Sequence, residues 1–377
     1  MKKNILIVDD SALMRRVLSD TVNSDERYQV KDIANNGEEG LKLILANPTG
    51  YDAILLDIYM PKMTGLELLM ELEKRRGNYP RIVICSTKAD ESAEETMIAL
   101  EHGAFDFIKK PENLINAKSN TFKEALLAIL GVATESRPKR SILSTRPSPA
   151  ATNNVVIRTS ATKPSSFMTK PPVRNLSIPT QKGTGNKLIA LACSTGGPKT
   201  LQSVIPLLPE GLNAPMVLVQ HMPKGFTKSL AMRLNDMSKV EVKEAAEGDV
   251  LQKGCVYIAP GGSHLKVAKL PGGGYKAVIS DEPPRDALKP CANIMYESLV
   301  GSAYDEIVCV VLTGMGADGT EGIKALKKRN KVYVISQDEE TCVVYGMPKM
   351  VAQAGLSDEV LPITEVANSI VKKVGVQ

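Results

Sequence analysis

The sequence predicts two doubly wound α/β domains, each built on a mostly parallel sheet and joined by a disordered linker. Three observations carry this. Short, continuously apolar runs alternate with amphipathic stretches in both halves of the chain, the pattern of strands buried on both faces between helices. A Pro/Ser/Thr-rich basic segment separates the halves. At 377 residues the chain is long for a single domain. The expected division is 1–130, a linker at 131–186, and 187–377.

In the first domain, strands are expected near 4–9, 28–34, 52–57, 81–86 and 105–109. The intervening stretches carry helical spacing, as in Leu13-Met14 with Val17-Leu18 and in Leu66, Leu69 and Leu72. Asp9 and Asp10 close the first run and Asp57 closes the third, so three acids are expected at the carboxyl edge of one sheet, where open α/β folds bind ligands. An acid that ends one strand in a loop is unremarkable; three in register are not. Like charges this close call for a cation, and hard oxygen donors suit Mg2+. Ser86-Thr87 follows the fourth strand and Lys110-Pro111 the fifth. A carboxylate accepts a phosphoryl group when metal and ammonium neutralise the developing charge. Asp57 is then the acceptor, Asp10 the principal metal ligand with Asp9 beside it, and Lys110 the counter-charge.

These residues, with the segment Asp57-Ile58-Tyr59-Met60-Pro61-Lys62-Met63-Thr64-Gly65, resemble the response-regulator receiver family across the whole first domain. The resemblance implies a flavodoxin-like fold, Mg2+ for phosphorylation, and a sensor histidine kinase as phosphodonor to Asp57. It also implies that Ser86 or Thr87 contacts the phosphoryl group, with Ser86 preferred, and that Phe107 changes rotamer with it.

Residues 131–186 hold nine Lys or Arg against one Glu, a net +8 that leaves −3 on the rest of a +5 chain. Seven of the 23 prolines lie there, with few aliphatics at either periodicity, so the segment cannot bury enough to fold and reads as a solvated tether. The positive net charge therefore does not argue for nucleic acid, and no helix-turn-helix pattern accompanies it. No apolar run reaches the roughly 18 residues of a membrane span, and Met1-Lys2-Lys3 leads straight into a strand, so a cytoplasmic protein without direct membrane insertion is expected. The six cysteines form no C-x-x-C pair and sit largely in apolar runs, as buried, reduced thiols do.

The second domain repeats the alternation through Lys187–Cys193, Met216–Gln220, Val256–Ala259, Ile307–Leu312 and Val332–Ile335. Its chemistry lies just after those strands: Ser194-Thr195-Gly196-Gly197-Pro198, His221-Met222-Pro223, and Thr313-Gly314-Met315-Gly316-Ala317-Asp318-Gly319. Each piece also has a plain reading, since Gly-Gly-Pro starts helices and a glycine-rich run makes tight turns. Serine needs an imidazole to take its proton, and the imidazole needs a carboxylate to orient it, so Ser194, His221 and Asp318 form a candidate triad. Amides near Thr195 and Met315 are candidates for an oxyanion hole. Of the three histidines, His102 falls on a helix of the first domain; His264 could border the site, though the segment after it, with Lys266 and Lys269, looks exposed, and position at a strand end favours His221 as base.

Together with Val343-Val344-Tyr345-Gly346-Met347-Pro348, these motifs are similar to the catalytic domain of chemotaxis protein-glutamate methylesterases, a family that joins a receiver to this domain. The resemblance implies a serine hydrolase, with no cofactor for the ester step, that releases methanol from glutamyl methyl esters of chemoreceptors and deamidates receptor glutamines. It maps Ser194 to the nucleophile, His221 to the base, Asp318 to its partner and Met315 to a backbone oxyanion donor. Cys193 stands where the family commonly has alanine, and the linker is long for the family. A regulator whose second domain only binds a partner, and a DNA-binding regulator, are the rival readings; an intact Ser, His and Asp set argues against the first.

Overall fold

The structure is a computed structural model that describes residues 1–86, 91–111, 120–135 and 182–377. Thr87 and almost all of the expected linker lie outside the described residues. The first unit runs β1 (Lys3–Val8), α1 (Ala12–Asn23), β2 (Tyr28–Ala34), α2 (Gly37–Ala46), β3 (Ala53–Asp57), α3 (Gly65–Arg75), β4 (Arg81–Ser86), α4 (Glu91–Glu101), β5 (Asp106–Lys109) and α5 (Asn120–Glu135). Capping explains where several helices begin. Ser11 and Asn36 accept from backbone amides of the first turns of α1 and α2, and Thr64 forms a reciprocal capping box with Glu67 at the start of α3. The sheet is parallel in the order β2-β1-β3-β4-β5, which places the topological switch point between β1 and β3, where Asp9, Asp10 and Asp57 emerge. The last helix continues to Glu135, five residues into the segment read as linker, because Leu126, Leu130 and Ala133 bury one stripe against the sheet.

The second unit begins with β6 (Lys187–Cys193), α6 (Gly197–Gln202), β7 (Met216–Gln220) and α7 (Phe226–Met237). It continues with β8 (Glu241–Glu244), β9 (Cys255–Ile258), β10 (His264–Lys269), β11 (Tyr275–Ser280) and α8 (Ala292–Ser298). It closes with β12 (Glu306–Val311), α9 (Thr320–Lys327), β13 (Val332–Gln337), α10 (Met347–Gln353), β14 (Glu359–Leu361) and α11 (Ile363–Val374). Seven strands make one parallel sheet, β14-β13-β12-β6-β7-β9-β8. The first strand, β6, lies at its centre, so the loops after β6, β7 and β12 share one edge. The antiparallel hairpin β10–β11 was not expected from the sequence. The unit starts slightly earlier than Lys187, since Lys182 bridges to Val376 and Gly183 N donates to Val376 O.

The two units touch. Phe107 on β5 stacks on Phe226 at the start of α7, with ring centroids 4.6 Å apart, and joins their apolar cores into one buried cluster. Among the described residues no helix is long and apolar enough to cross a membrane.

Candidate active site

The loops after β6, β7 and β12 bring Ser194, His221 and Asp318 to one edge of the second sheet. Adjacent parallel strands alone make this possible: β6 pairs with β7 on one side and β12 on the other, and backbone bonds His221 N to Cys193 O and Ser194 N to Thr313 O extend both ladders past the strand ends. The imidazole Nε2 lies 2.8 Å from Asp318 Oδ2. Nδ1 is therefore the nitrogen left for serine. Among the described residues no hydrogen bond joins Ser194 Oγ to the imidazole, an open arrangement common before substrate is bound.

Asp318 is held on several sides. Besides His221, the backbone amide of Ala292 donates to Oδ2 at 2.6 Å, while the amide of Asn293 and the thiol of Cys291 donate to Oδ1 at 2.9 and 3.2 Å. Burial on its own would raise its pKa; the His221 contact and the two amides outweigh that and hold it at about 2, so the carboxylate stays charged. Burial and the neighbouring carboxylate push the Cys291 thiol up to about 12, which keeps it a donor. The Asn293 side chain in turn accepts from Gly319 N and Gly322 N at 3.0 and 2.7 Å and fixes the turn that carries Asp318. Neither Cys291 nor Asn293 carries a local sequence signal for this role, because the contacts span about 25 residues of intervening chain.

Close approach explains the glycines. Gly196 has φ +76° and packs on Val343, and a Cβ on Gly314 would meet Ser194 Cβ at 2.8 Å and Met347 Sδ at 2.4 Å. The segment 343–347 is laid against this turn by Gly314 N to Val344 O and Met347 N to Gly314 O. Among the described residues the amides of Thr195 and Met315 donate to nothing, which leaves both free to meet an oxyanion.

His264, which precedes a segment expected to be exposed, is itself fully buried. It opens β10, which packs against α8, and its Nε2 lies 3.2 Å from Pro283 O; the outward positions of the hairpin go to Lys266 and Lys269 instead. His102 follows α4 and faces Glu73 at 2.7 Å. Five of the six cysteines are buried and none is disulfide-bonded.

At the other pocket, carboxylate oxygens of Asp9, Asp10 and Asp57 lie within 4.8 Å of one another. Lys110 Nζ sits 2.6 Å from Asp9 and 2.8 Å from Asp57. Burial lifts the Asp57 pKa to about 6 against the opposing pull of Lys110. Ser86 ends β4 beside them and is buried.

The edge of the first sheet lies over the Ser194 turn. The Asp106 carboxylate on β5 accepts from Phe107 N at 2.8 Å and lies near the Thr195 side chain, and burial pushes its pKa up to about 6. Glu101 at the end of α4 takes both Nε and Nη2 of Arg233, at 2.6 and 2.7 Å, and the Gln202 amide at 3.1 Å. A crevice of about 130 Å³ remains between Leu100, Ala104 and Phe105 on one side and Gly196, Pro198 and Val343 on the other. None of these partners is marked in the sequence, since each pair is about a hundred residues or more apart.

Residues 189–370 match the family model described as CheB methylesterase, and residues 5–119 match that of the response regulator receiver domain. The chain is 41% identical over 370 residues, 97% of either chain, to a protein-glutamate methylesterase/protein-glutamine glutaminase of Bacillus subtilis. It is 37% identical, over 98% of either chain, to protein-glutamate methylesterase/protein-glutamine glutaminase 1 of Syntrophomonas wolfei. Among solved structures, the CheB methylesterase catalytic domain of Thermotoga maritima is 40% identical with a TM-score of 0.48, covering 50% of this chain and 99% of that one.

Proposed function

From the premise that this chain belongs to the CheB methylesterase family, with a response-regulator receiver in front, we propose that it is a phosphorylation-activated protein-glutamate methylesterase and glutaminase acting on chemoreceptors in sensory adaptation. The observation that carries the reading is the convergence of Ser194, His221 and Asp318, with His221 and Asp318 already bonded at 2.8 Å.

In this mechanism Ser194 Oγ attacks the glutamyl ester carbonyl as His221 Nδ1 takes its proton. Asp318 holds Nε2–H and stabilises the imidazolium. The amides of Thr195 and Met315 bind the oxyanion. The imidazolium then protonates the departing methanol, or ammonia from a glutamine, and water drawn in by the same base hydrolyses the acyl-enzyme.

Control comes from the first domain, proposed as 1–135, tethered to a catalytic domain from 182. Asp57 accepts the phosphoryl group from a histidine kinase. Asp9, Asp10 and Asp57 offer a hard-oxygen donor set that fits Mg2+, which when bound offsets charge on the transferring group. Lys110 and Ser86 complete the pocket, with Thr87 the alternative hydroxyl. Unphosphorylated, the receiver occludes the Ser194 turn through Asp106, Phe107 and Glu101, and phosphorylation releases it. The test is to incubate purified protein with methylated receptors, with and without a small phosphodonor, and to quantify methanol and ammonia. The reading requires ester or amide turnover that Ser194→Ala abolishes and phosphodonor raises; an active Ser194→Ala protein overturns it.

A further inference from the structure

Gln220 ends β7, in register with Cys193 at the end of β6, and is buried, at 2% exposure. Its side chain makes three contacts. Nε2 donates to the carbonyl of Ser194 at 2.9 Å and to the carbonyl of His221 at 3.2 Å, and Oε1 accepts from Cys193 Sγ at 3.0 Å. One amide thus bonds the main chain of both the residue that must lose a proton and the residue that must take it. The amide has only one sensible orientation: reversed, Oε1 would face two carbonyl oxygens. Cys193 reinforces that orientation by donating to Oε1, and complete burial raises its pKa and keeps the thiol a donor. The fit is close on the fourth side as well, where a Cβ on Gly197 would come within 1.9 Å of Oε1. Apart from this side chain, among the described residues the Ser194 turn and the His221 turn are tied by one backbone bond, His221 N to Cys193 O. Strand pairing cannot set the distance between the two functional groups, since both lie beyond the last ladder pair.

We propose that Gln220 is a positioning residue that sets the Ser194–His221 approach, with the Cys193 thiol as the group that orients its amide. It touches no substrate and acts through the two carbonyls. The departure from alanine at 193 then has a use: a donor where alanine has none. The proposal rests on the Ser194–His221–Asp318 reading.

The test uses the full-length protein, activated by phosphodonor, with Gln220→Leu, Gln220→Glu, Cys193→Ala and Cys193→Ser. Misplacing reacting groups by about an ångström costs on the order of a hundredfold, so Gln220→Leu and Gln220→Glu should lower kcat by about 10- to 100-fold and leave KM within about twofold. The rate at which a fluorophosphonate labels Ser194 should fall in parallel. Cys193→Ala, which removes the donor to Oε1 and loosens the amide in its one orientation, should lose about threefold in kcat, and Cys193→Ser, which restores a donor, should recover it. A residue that only stabilises the fold would lower Tm and the active fraction while kcat per labelled serine stayed at the wild-type value; that result overturns the proposal, as does a loss confined to KM. If Gln220→Leu fails to fold, Cys193→Ala against Cys193→Ser still decides: equal kcat in the two sinks it. An active Ser194→Ala protein would instead mean that the triad reading itself has failed.

Discussion

Asp318 is where the chemistry is most constrained, because its two oxygens accept from one imidazole, two amides and a thiol. Its carboxylate is thereby held charged and aimed before substrate arrives. Asp318→Asn should cut kcat by about 10³- to 10⁴-fold, because an amide holds the wrong tautomer of the imidazole. His221→Gln should cost more, since it removes the base itself; single-turnover kinetics on a methyl ester substrate compares the two. Asn293→Ala tests the bracing around the carboxylate: with Gly319 N and Gly322 N released, kcat should fall several-fold while KM changes little. At Asp57 the prediction is different in kind. Asp57→Asn should leave basal esterase activity intact and remove its stimulation by phosphodonor, and stimulation that survives would move the phosphorylation site elsewhere.

Strand β5 joins the two pockets within five residues. Lys110, just past its end, reaches Asp9 and Asp57, while Asp106 and Phe107 at its start meet Thr195 and Phe226. It can do so because it is the edge strand of its sheet, and covering an edge with another unit is one of the ways proteins protect it. The contact has a pH signature. The Asp106 pKa of about 6 against Thr195 lies above the ordinary carboxylate value of 3.8, and burial is the cause. A group whose pKa is raised on docking takes up a proton as it docks, so docking tightens as the pH falls through about 6 and is weakest where Asp106 is ionised. Asp106→Asn keeps the size and an acceptor without the charge. The ratio of basal esterase activity, wild type over Asp106→Asn, should stand near one at pH 5 and rise several-fold by pH 7.5. A flat ratio would show that Asp106 does not titrate in the closed form.

On the proposed function the whole molecule works as a tethered pair. A tether of this length holds the domains at an effective concentration on the order of millimolar, so a modest interface suffices for closure. Differential stabilisation of about 2–3 kcal/mol is enough to open most molecules. The Glu101–Arg233 pair offers a clean probe, being bidentate and on the domain surfaces. Glu101→Arg or Arg233→Glu alone should raise unphosphorylated activity several-fold, and the double charge swap should return it toward the wild-type value. Deleting residues 1–181 should raise kcat/KM similarly and make it indifferent to phosphodonor. Equal kcat/KM for truncated and full-length protein would remove the occlusion hypothesis.

Much of this was legible from residue order alone. Apolar runs announced the strands because a strand buried on both faces must be apolar throughout, and residues just past such runs must lie on one sheet edge, which is why Asp9, Asp10, Asp57, Ser194, His221 and Asp318 could be named by position. The sequence was silent wherever the partner is remote. Lys266 and Lys269 mark the segment after His264 as exposed, yet packing of β10 against α8 buries the histidine itself. Helix α5 runs past residue 130, the expected end of the first domain, because its buried stripe, not its composition, sets its length. The holds on Asp318 by Cys291 and Asn293, the clasp of Gln220 on two carbonyls, and the seat of Asp106 on Thr195 came only with the tertiary structure. Local sequence encodes periodicity and chain reversal, whereas hydrogen bonds between segments depend on how two sheets order their strands and on which edge of one meets the open face of the other.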